Sequence, residues 1–143
     1  MMMMKKAVLG LLMCTFILML VSGCSEKAVS EEEILNRLEA SLQTQGLSVE
    51  NEGKQSNDAL EQVYPYRYIV KADNKNEDVM LVYVLDGNKK IQQAIENQHY
   101  TITTLTKFEN FSTSNVLVVH FALSGDLEKY QKQIENAVDK IDH

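Results

Sequence analysis

An uncharged apolar run of 15 residues near the N-terminus constrains this chain more than any other feature. It extends from Ala7 to Val21 and follows a short basic segment that contains Lys5 and Lys6. A membrane-spanning helix needs about 20 apolar residues, whereas the apolar region of a secretion signal has roughly 7–15. The length therefore favours a secretion signal over an uncleaved anchor helix, and it places the folded part of the chain after this run.

The residues that end this run are Val21-Ser22-Gly23-Cys24. An aliphatic residue, two small residues and a cysteine resemble the lipobox of bacterial lipoprotein signal peptides. An ordinary secretory signal, the alternative, needs no cysteine at this point. The resemblance implies cleavage between Gly23 and Cys24, thioether lipidation of Cys24 and acylation, such as palmitoylation, of its amine. Residues 1–23 are then the signal peptide.

The lipobox resemblance also implies a location. Two or more acyl chains give lasting membrane attachment, whereas one chain is marginal. The protein is expected on the outer face of the cell membrane. In a cell with two membranes the outer membrane is an alternative, because Ser25 rather than Asp follows the cysteine.

The charge of the chain narrows its partners. There are 20 acidic and 14 basic residues, and removal of residues 1–23 takes away Lys5 and Lys6, which leaves a charge near −8. Such a surface disfavours nucleic acid and electrostatic adsorption to anionic lipid. The expected membrane contact is therefore the lipid on Cys24, and the expected partner is an envelope protein.

The lipobox resemblance implies a lipidated tether over residues 24–30, and apolar periodicity predicts one α+β domain over residues 31–143. Ser30 and Glu33 form a capping box for a helix over about 31–45. Alternation predicts a half-buried strand over 64–72, and continuous apolar runs predict two central strands over 79–85 and 116–123. Residues 73–78 are interpreted as a turn and the Thr-rich segment 100–108 as β-like.

A short helix follows Gly87, and a last helix extends from Leu127 to Ile141 with Asp126 as its cap. The predicted order is α-β-β-β-α-β-β-α, with the first strand the least defined. A mostly antiparallel sheet of four to five strands with about three helices packed on one face satisfies this order, because the helical stripes suffice to cover one face.

No motif in the sequence predicts catalysis or a cofactor. His99, His120 and His143 lack the spacing of metal ligands, and the only cysteine after cleavage is the lipidated one. There is no G-x-S-x-G nucleophile motif and no Gly-rich phosphate loop. The segment Ser124-Gly125-Asp126 is explained by helix capping. We therefore expect no enzyme, no metal and no cofactor.

Two sets of residues remain as candidate binding groups. His120 lies in an apolar strand, either as a buried ligand or acid–base group or as a core histidine bonded to a neighbour. Tyr64, Tyr66 and Tyr68 repeat every second residue beside Arg67, either as an exposed aromatic strip or as a sheet face under a helix.

The tract Asn115-Val-Leu-Val-Val and the helix end Ile134-Glu-Asn-Ala-Val-Asp-Lys-Ile141 resemble small, uncharacterised lipoproteins of Gram-positive bacteria. This resemblance implies no activity or site residue. The leading hypothesis is a non-catalytic binding or accessory domain at the cell envelope. The alternatives are a small envelope hydrolase with a site assembled from scattered residues, or a small-ligand carrier that uses the tyrosine strip.

Overall fold

A computed structural model describes residues 29–72 and 75–142 of the chain. The predicted signal peptide, the lipobox, most of the tether and His143 lie outside the described residues. The helices and strands follow the predicted order. Their bounds are α1 Glu31–Thr44, β1 Ser48–Lys54, β2 Tyr66–Lys71, β3 Asp78–Val84, α2 Asn88–Glu96, β4 Lys107–Ser112, β5 Val116–Ala122, a 3-10 turn Leu127–Lys129 and α3 Gln131–Asp139.

The five strands form one antiparallel sheet in the order β1-β2-β3-β5-β4. The two continuous apolar strands, β3 and β5, lie side by side and pair from Val79 with Phe121 to Val84 with Val116. Burial on both faces explains why these strands show no polar alternation. The predicted α+β class with a five-stranded antiparallel sheet is confirmed.

The first face of the sheet packs against α1 and α3. From α1, Ile34, Leu38 and Leu42 join one core with strand residues such as Tyr68 and Val118. The α1 residues recur every three or four positions, as a buried helix face requires. The predicted helix start is confirmed, because the Ser30 hydroxyl accepts the Glu33 N–H at 3.2 Å.

The second face carries a separate core, and here one helix differs from the prediction. Ile91 and Ala94 of α2 pack with Leu81, Tyr83 and other second-face residues. The helices therefore lie on both faces rather than one. The physical reason is the strand alternation itself: Leu81 and Tyr83 point away from α1 and need their own cover, which α2 and the loop around Leu60 supply.

Two segment predictions are corrected. Residues 100–106 form an irregular loop, and the strand begins only at Lys107, although threonine favours strands. The last helix is broken at Tyr130, whose φ and ψ are −126° and 2°, and Asp126 makes no side-chain cap. Tyr130 turns inward because its hydroxyl donates to the Asn76 carbonyl at 2.7 Å and accepts from the Ala72 N–H at 3.2 Å.

Candidate functional site

A cleft of about 490 Å³ opens on the second face of the sheet, beside the area that α2 covers. Its floor is formed by strand side chains, and its walls are the loops over residues 55–58 and 100–106. Ligand sites in proteins typically span roughly 300–1,000 Å³ and combine apolar surface with a few polar groups. We call this feature the loop cleft.

The floor of the loop cleft is apolar. Val79 and Leu81 of β3 and Phe121 of β5 lie on the second face, and Val79 is paired with Phe121 across the two strands. Leu123, just after β5, extends the floor to the rim and is 46% exposed. The alternation of β3 and β5 thus presents an apolar base, in which Leu81 and Phe121 are already buried and Val79 is partly buried.

The wall over residues 55–58 ends at the first of three residues with left-handed backbone. Asp58, Glu61 and Gln62 have φ values of 58°, 50° and 65°, which are uncommon for residues other than glycine. Burial of Leu60 and a hydrogen bond from the Asn97 amide to Glu61 at 2.7 Å hold this segment in place. Strained backbone persists only where the surrounding structure overdetermines it, and such sites cluster at ligand loops.

A hydrogen-bonded tyrosine pair joins the two walls. The Tyr83 hydroxyl donates to the Asp58 carbonyl at 2.7 Å and lies 3.1 Å from the Tyr100 hydroxyl. Because a phenol has a single hydrogen, Tyr100 is the donor to Tyr83. Burial raises the pKa of Tyr83, and burial also raises the pKa of Tyr100, so both stay protonated and the link is kept.

Aromatic packing and turn contacts hold the other wall. The Tyr100 ring meets Phe121 and Phe108 edge-on, with centroids 4.9 and 5.4 Å apart. The Thr103 and Thr106 hydroxyls lie 2.9 Å apart and close the loop. In this loop, Ile102 is 41% exposed and Leu105 is 70% exposed. These two side chains and Leu123 are three of the five exposed large apolar residues among the described parts of the chain.

Two charged residues line the loop cleft, and one of them forms an ion pair. Arg67 of β2 lines the cleft and forms an ion pair with Glu52 of β1. Asp58 also lines it, is exposed, and has no ion pair with any other described residue. The Arg67 charge is thus compensated within the sheet, whereas the Asp58 carboxylate has no such partner among the described residues.

His120 does not line the loop cleft. It lies on the first face, fully buried, with Nε2 2.8 Å from an Asp78 carboxylate oxygen and Nδ1 3.2 Å from Glu109. Lys129 donates to Asp78 at 3.1 Å. We call His120, Asp78, Glu109 and Lys129 the histidine cluster. In this cluster His120 lies among neighbouring side chains rather than in a cavity.

The histidine cluster also joins the C-terminal segment to the sheet. The Leu123 N–H donates to Asp78 at 3.2 Å, and Gln131 at the start of α3 donates to Glu109 at 2.9 Å. Burial would raise the pKa of Asp78, but hydrogen bonds from His120 and Lys129 outweigh it and lower this pKa below its usual value. The sequence assigned Asp78 to a turn, and its only signal was its position directly before an apolar strand.

The three tyrosines of β2 and its approach do not form one exposed strip. Tyr68 is fully buried under α1, and its hydroxyl donates to Glu39 at 2.8 Å. Tyr66 is half-buried in a shallow groove between α1 and β1, and Tyr64 lies before the strand, 44% exposed. Pro65 separates the last two, so only Tyr64 presents much of its ring to solvent.

In the described ranges, no set of three or more His, Cys, Asp or Glu side chains is arranged to hold a metal ion. Within those same ranges, no helix has the length and apolarity to cross a membrane. Comparison of the chain with protein families, curated proteins and solved structures finds no match.

Proposed function

We propose that this chain is the precursor of a bacterial lipoprotein whose mature domain is a non-catalytic binding domain at the outer face of the cell membrane. The proposal of an anchor rests on Val21-Ser22-Gly23-Cys24 and the preceding apolar run. The charge near −8 of the mature chain supports attachment through lipid rather than through basic residues.

The loop cleft is the observation that carries the proposal of binding. Its floor is apolar, and its walls offer amide, hydroxyl and carboxylate groups, a combination typical of ligand sites. The walls are held by the Tyr83–Tyr100 pair and by packing of Tyr100 on Phe121. A site formed before its ligand arrives loses less entropy on binding than a site that must first become ordered.

The arrangement of acids and histidine favours binding over hydrolysis as the proposed activity. A general base must reach the proton that it abstracts, within hydrogen-bond distance or through one water. His120 is fully buried between Asp78 and Glu109, away from the loop cleft. The charged groups that do line the cleft, Asp58 and Arg67, suit recognition of a ligand.

The anchor is tested by mass spectrometry of the protein extracted from membranes. We expect an N-terminus at Cys24 with added diacylglyceryl mass, and an unprocessed precursor for Cys24→Ser. An N-terminus at another residue, or an unmodified Cys24, would refute the lipoprotein assignment.

Binding through the cleft is tested by photo-crosslinking in living cells. A crosslinking amino acid replaces Ile102, at the cleft, or Glu135, on the exposed side of α3. We expect a discrete adduct at position 102 and none at position 135. Adducts at both positions or at neither would contradict a binding site in the cleft.

A further inference from the structure

We infer that the loop cleft binds a short basic peptide segment in an extended conformation, with an apolar side chain on the floor and an adjacent lysine or arginine at Asp58. This inference rests on the proposed binding function and specifies its ligand. The charge of the cleft, its apolar floor and the backbone groups along its wall support this ligand.

Asp58 supplies the negative charge of the loop cleft. Its main chain is positioned by the hydrogen bond from Tyr83 to its carbonyl, so the carboxylate is held at the cleft rather than on a freely moving loop. The guanidinium of Arg67 is engaged by Glu52, and the mature chain as a whole carries a charge near −8. A cationic group is therefore attracted both at long range and at the rim.

The apolar floor favours a ligand that carries an apolar side chain beside the cationic group. Val79, Leu81 and Phe121 form an apolar base, and Leu123 and Ile102 continue it to the rim. Because Leu81 and Phe121 are already buried, most of the apolar area open to a ligand lies on Leu123 and Ile102, which are 46% and 41% exposed. A bare cation would leave this area exposed to water, whereas an aliphatic or aromatic side chain buries it at about 25 cal/mol for each Å². The ligand is thus amphipathic over a short distance.

The wall favours a peptide over a small amine. Residues 100–105 are irregular, and the N–H groups of Thr101 and Ile102 donate to no other described residue. Both residues line the cleft, so their main chain can pair with an extended ligand backbone in the manner of an added strand. Main-chain pairing then supplies affinity, while the floor and Asp58 supply the preference for an apolar–basic sequence.

The test uses the lipidated mature protein in phosphatidylcholine nanodiscs, since a zwitterionic lipid does not itself attract basic peptides. Isothermal titration compares acetyl-Lys-Leu-Lys-amide with acetyl-Glu-Leu-Glu-amide and acetyl-Lys-Ser-Lys-amide, with empty nanodiscs as the blank. We expect binding of the first peptide alone at comparable concentration. Its binding should weaken as salt rises, because exposed charges are screened within about 8 Å at physiological ionic strength.

Asp58→Asn isolates the carboxylate, because asparagine tolerates the left-handed conformation at φ 58° and keeps the shape of the side chain. We expect binding of the basic peptide to weaken by roughly 1.5-fold to fivefold, the range for an exposed ion pair. Asp86→Asn, an exposed position in the turn before α2, removes the same charge away from the cleft and should leave binding unchanged.

Equal weakening by Asp58→Asn and Asp86→Asn, or equal binding of the acidic and basic peptides, would overturn the inference. Absence of binding by the Lys-Leu-Lys peptide would also overturn it. The proposed binding function would survive these results, because crosslinking at position 102 does not depend on the charge of the ligand.

Discussion

The Asp78→Asn substitution exchanges one buried carboxylate oxygen for an amide nitrogen at the centre of the histidine cluster. Asp78 is fully buried and accepts hydrogen bonds from His120, Lys129 and the Leu123 N–H. The substitution removes the carboxylate charge that faces Lys129, and it places an amide nitrogen, which cannot accept a hydrogen bond, in the cluster around His120.

The expected loss follows from that geometry. Removing one partner of a buried ion pair costs about 3–5 kcal/mol. The lower end applies, because Lys129 is partly exposed and the new amide oxygen can still accept from it and from Leu123. A domain of this size loses about 4 °C of Tm per kcal/mol, so a loss of about 3 kcal/mol lowers Tm by about 12 °C.

The assay is urea unfolding followed by circular dichroism, with Asp86→Asn as the matched control. The exposed control should change the free energy of unfolding by less than about 0.5 kcal/mol. The slope of the free energy of unfolding against urea concentration should be equal in wild type, Asp78→Asn and Asp86→Asn, since their folded states bury similar surface.

The pH dependence of the free energy of unfolding provides a second test of the cluster, with a predicted direction. The pKa of Asp78 lies below its usual value of 3.8, because hydrogen bonds from His120 and Lys129 outweigh the effect of burial. The carboxylate therefore contributes its full stabilisation above about pH 4, and this is lost as pH falls through the lower folded-state pKa. The difference in the free energy of unfolding between wild type and Asp78→Asn should become smaller below pH 4. A difference under about 1 kcal/mol at pH 7, or a difference at pH 3 as large as that at pH 7, would refute the proposed role of the cluster.

Further predictions address the same cluster and the wall of the cleft. His120→Gln should cost about 1–3 kcal/mol, because the amide carries its two hydrogens on one nitrogen, whereas the ring contacts Asp78 and Glu109 through two separate nitrogens. Its effect in urea unfolding should be less than additive with Asp78→Asn; full additivity would show that the two residues act separately. Gly125→Ala places a methyl group 2.7 Å from the Leu105 carbonyl oxygen and should destabilise more than Gly46→Ala, which has a similar φ and open space. The left-handed conformation costs about 1–2 kcal/mol in both variants. Equal losses of Tm would therefore mean that the loop around Leu105 moves away from the new methyl group without cost.

The sequence by itself determined the elements whose signals are local. The Ser30 cap, the apolar stripe of α1 and the continuous runs of β3 and β5 each predict their structure from neighbouring residues. The order of helices and strands follows from the same patterns. Periodicity suffices here because a helix face or a strand face is defined by positions a few residues apart.

Only the tertiary structure decided how these elements meet. The position of α2 on the second face depends on which side of the sheet still lacks cover, and the break at Tyr130 depends on acceptors and donors near Asn76, far away in the chain. Asp78, Glu109 and His120 become neighbours only through the registers of β3, β4 and β5. The loop cleft likewise joins Asp58 to residues 100–106. Contacts between distant residues leave no periodic signal, because pairing energy rather than local spacing selects them.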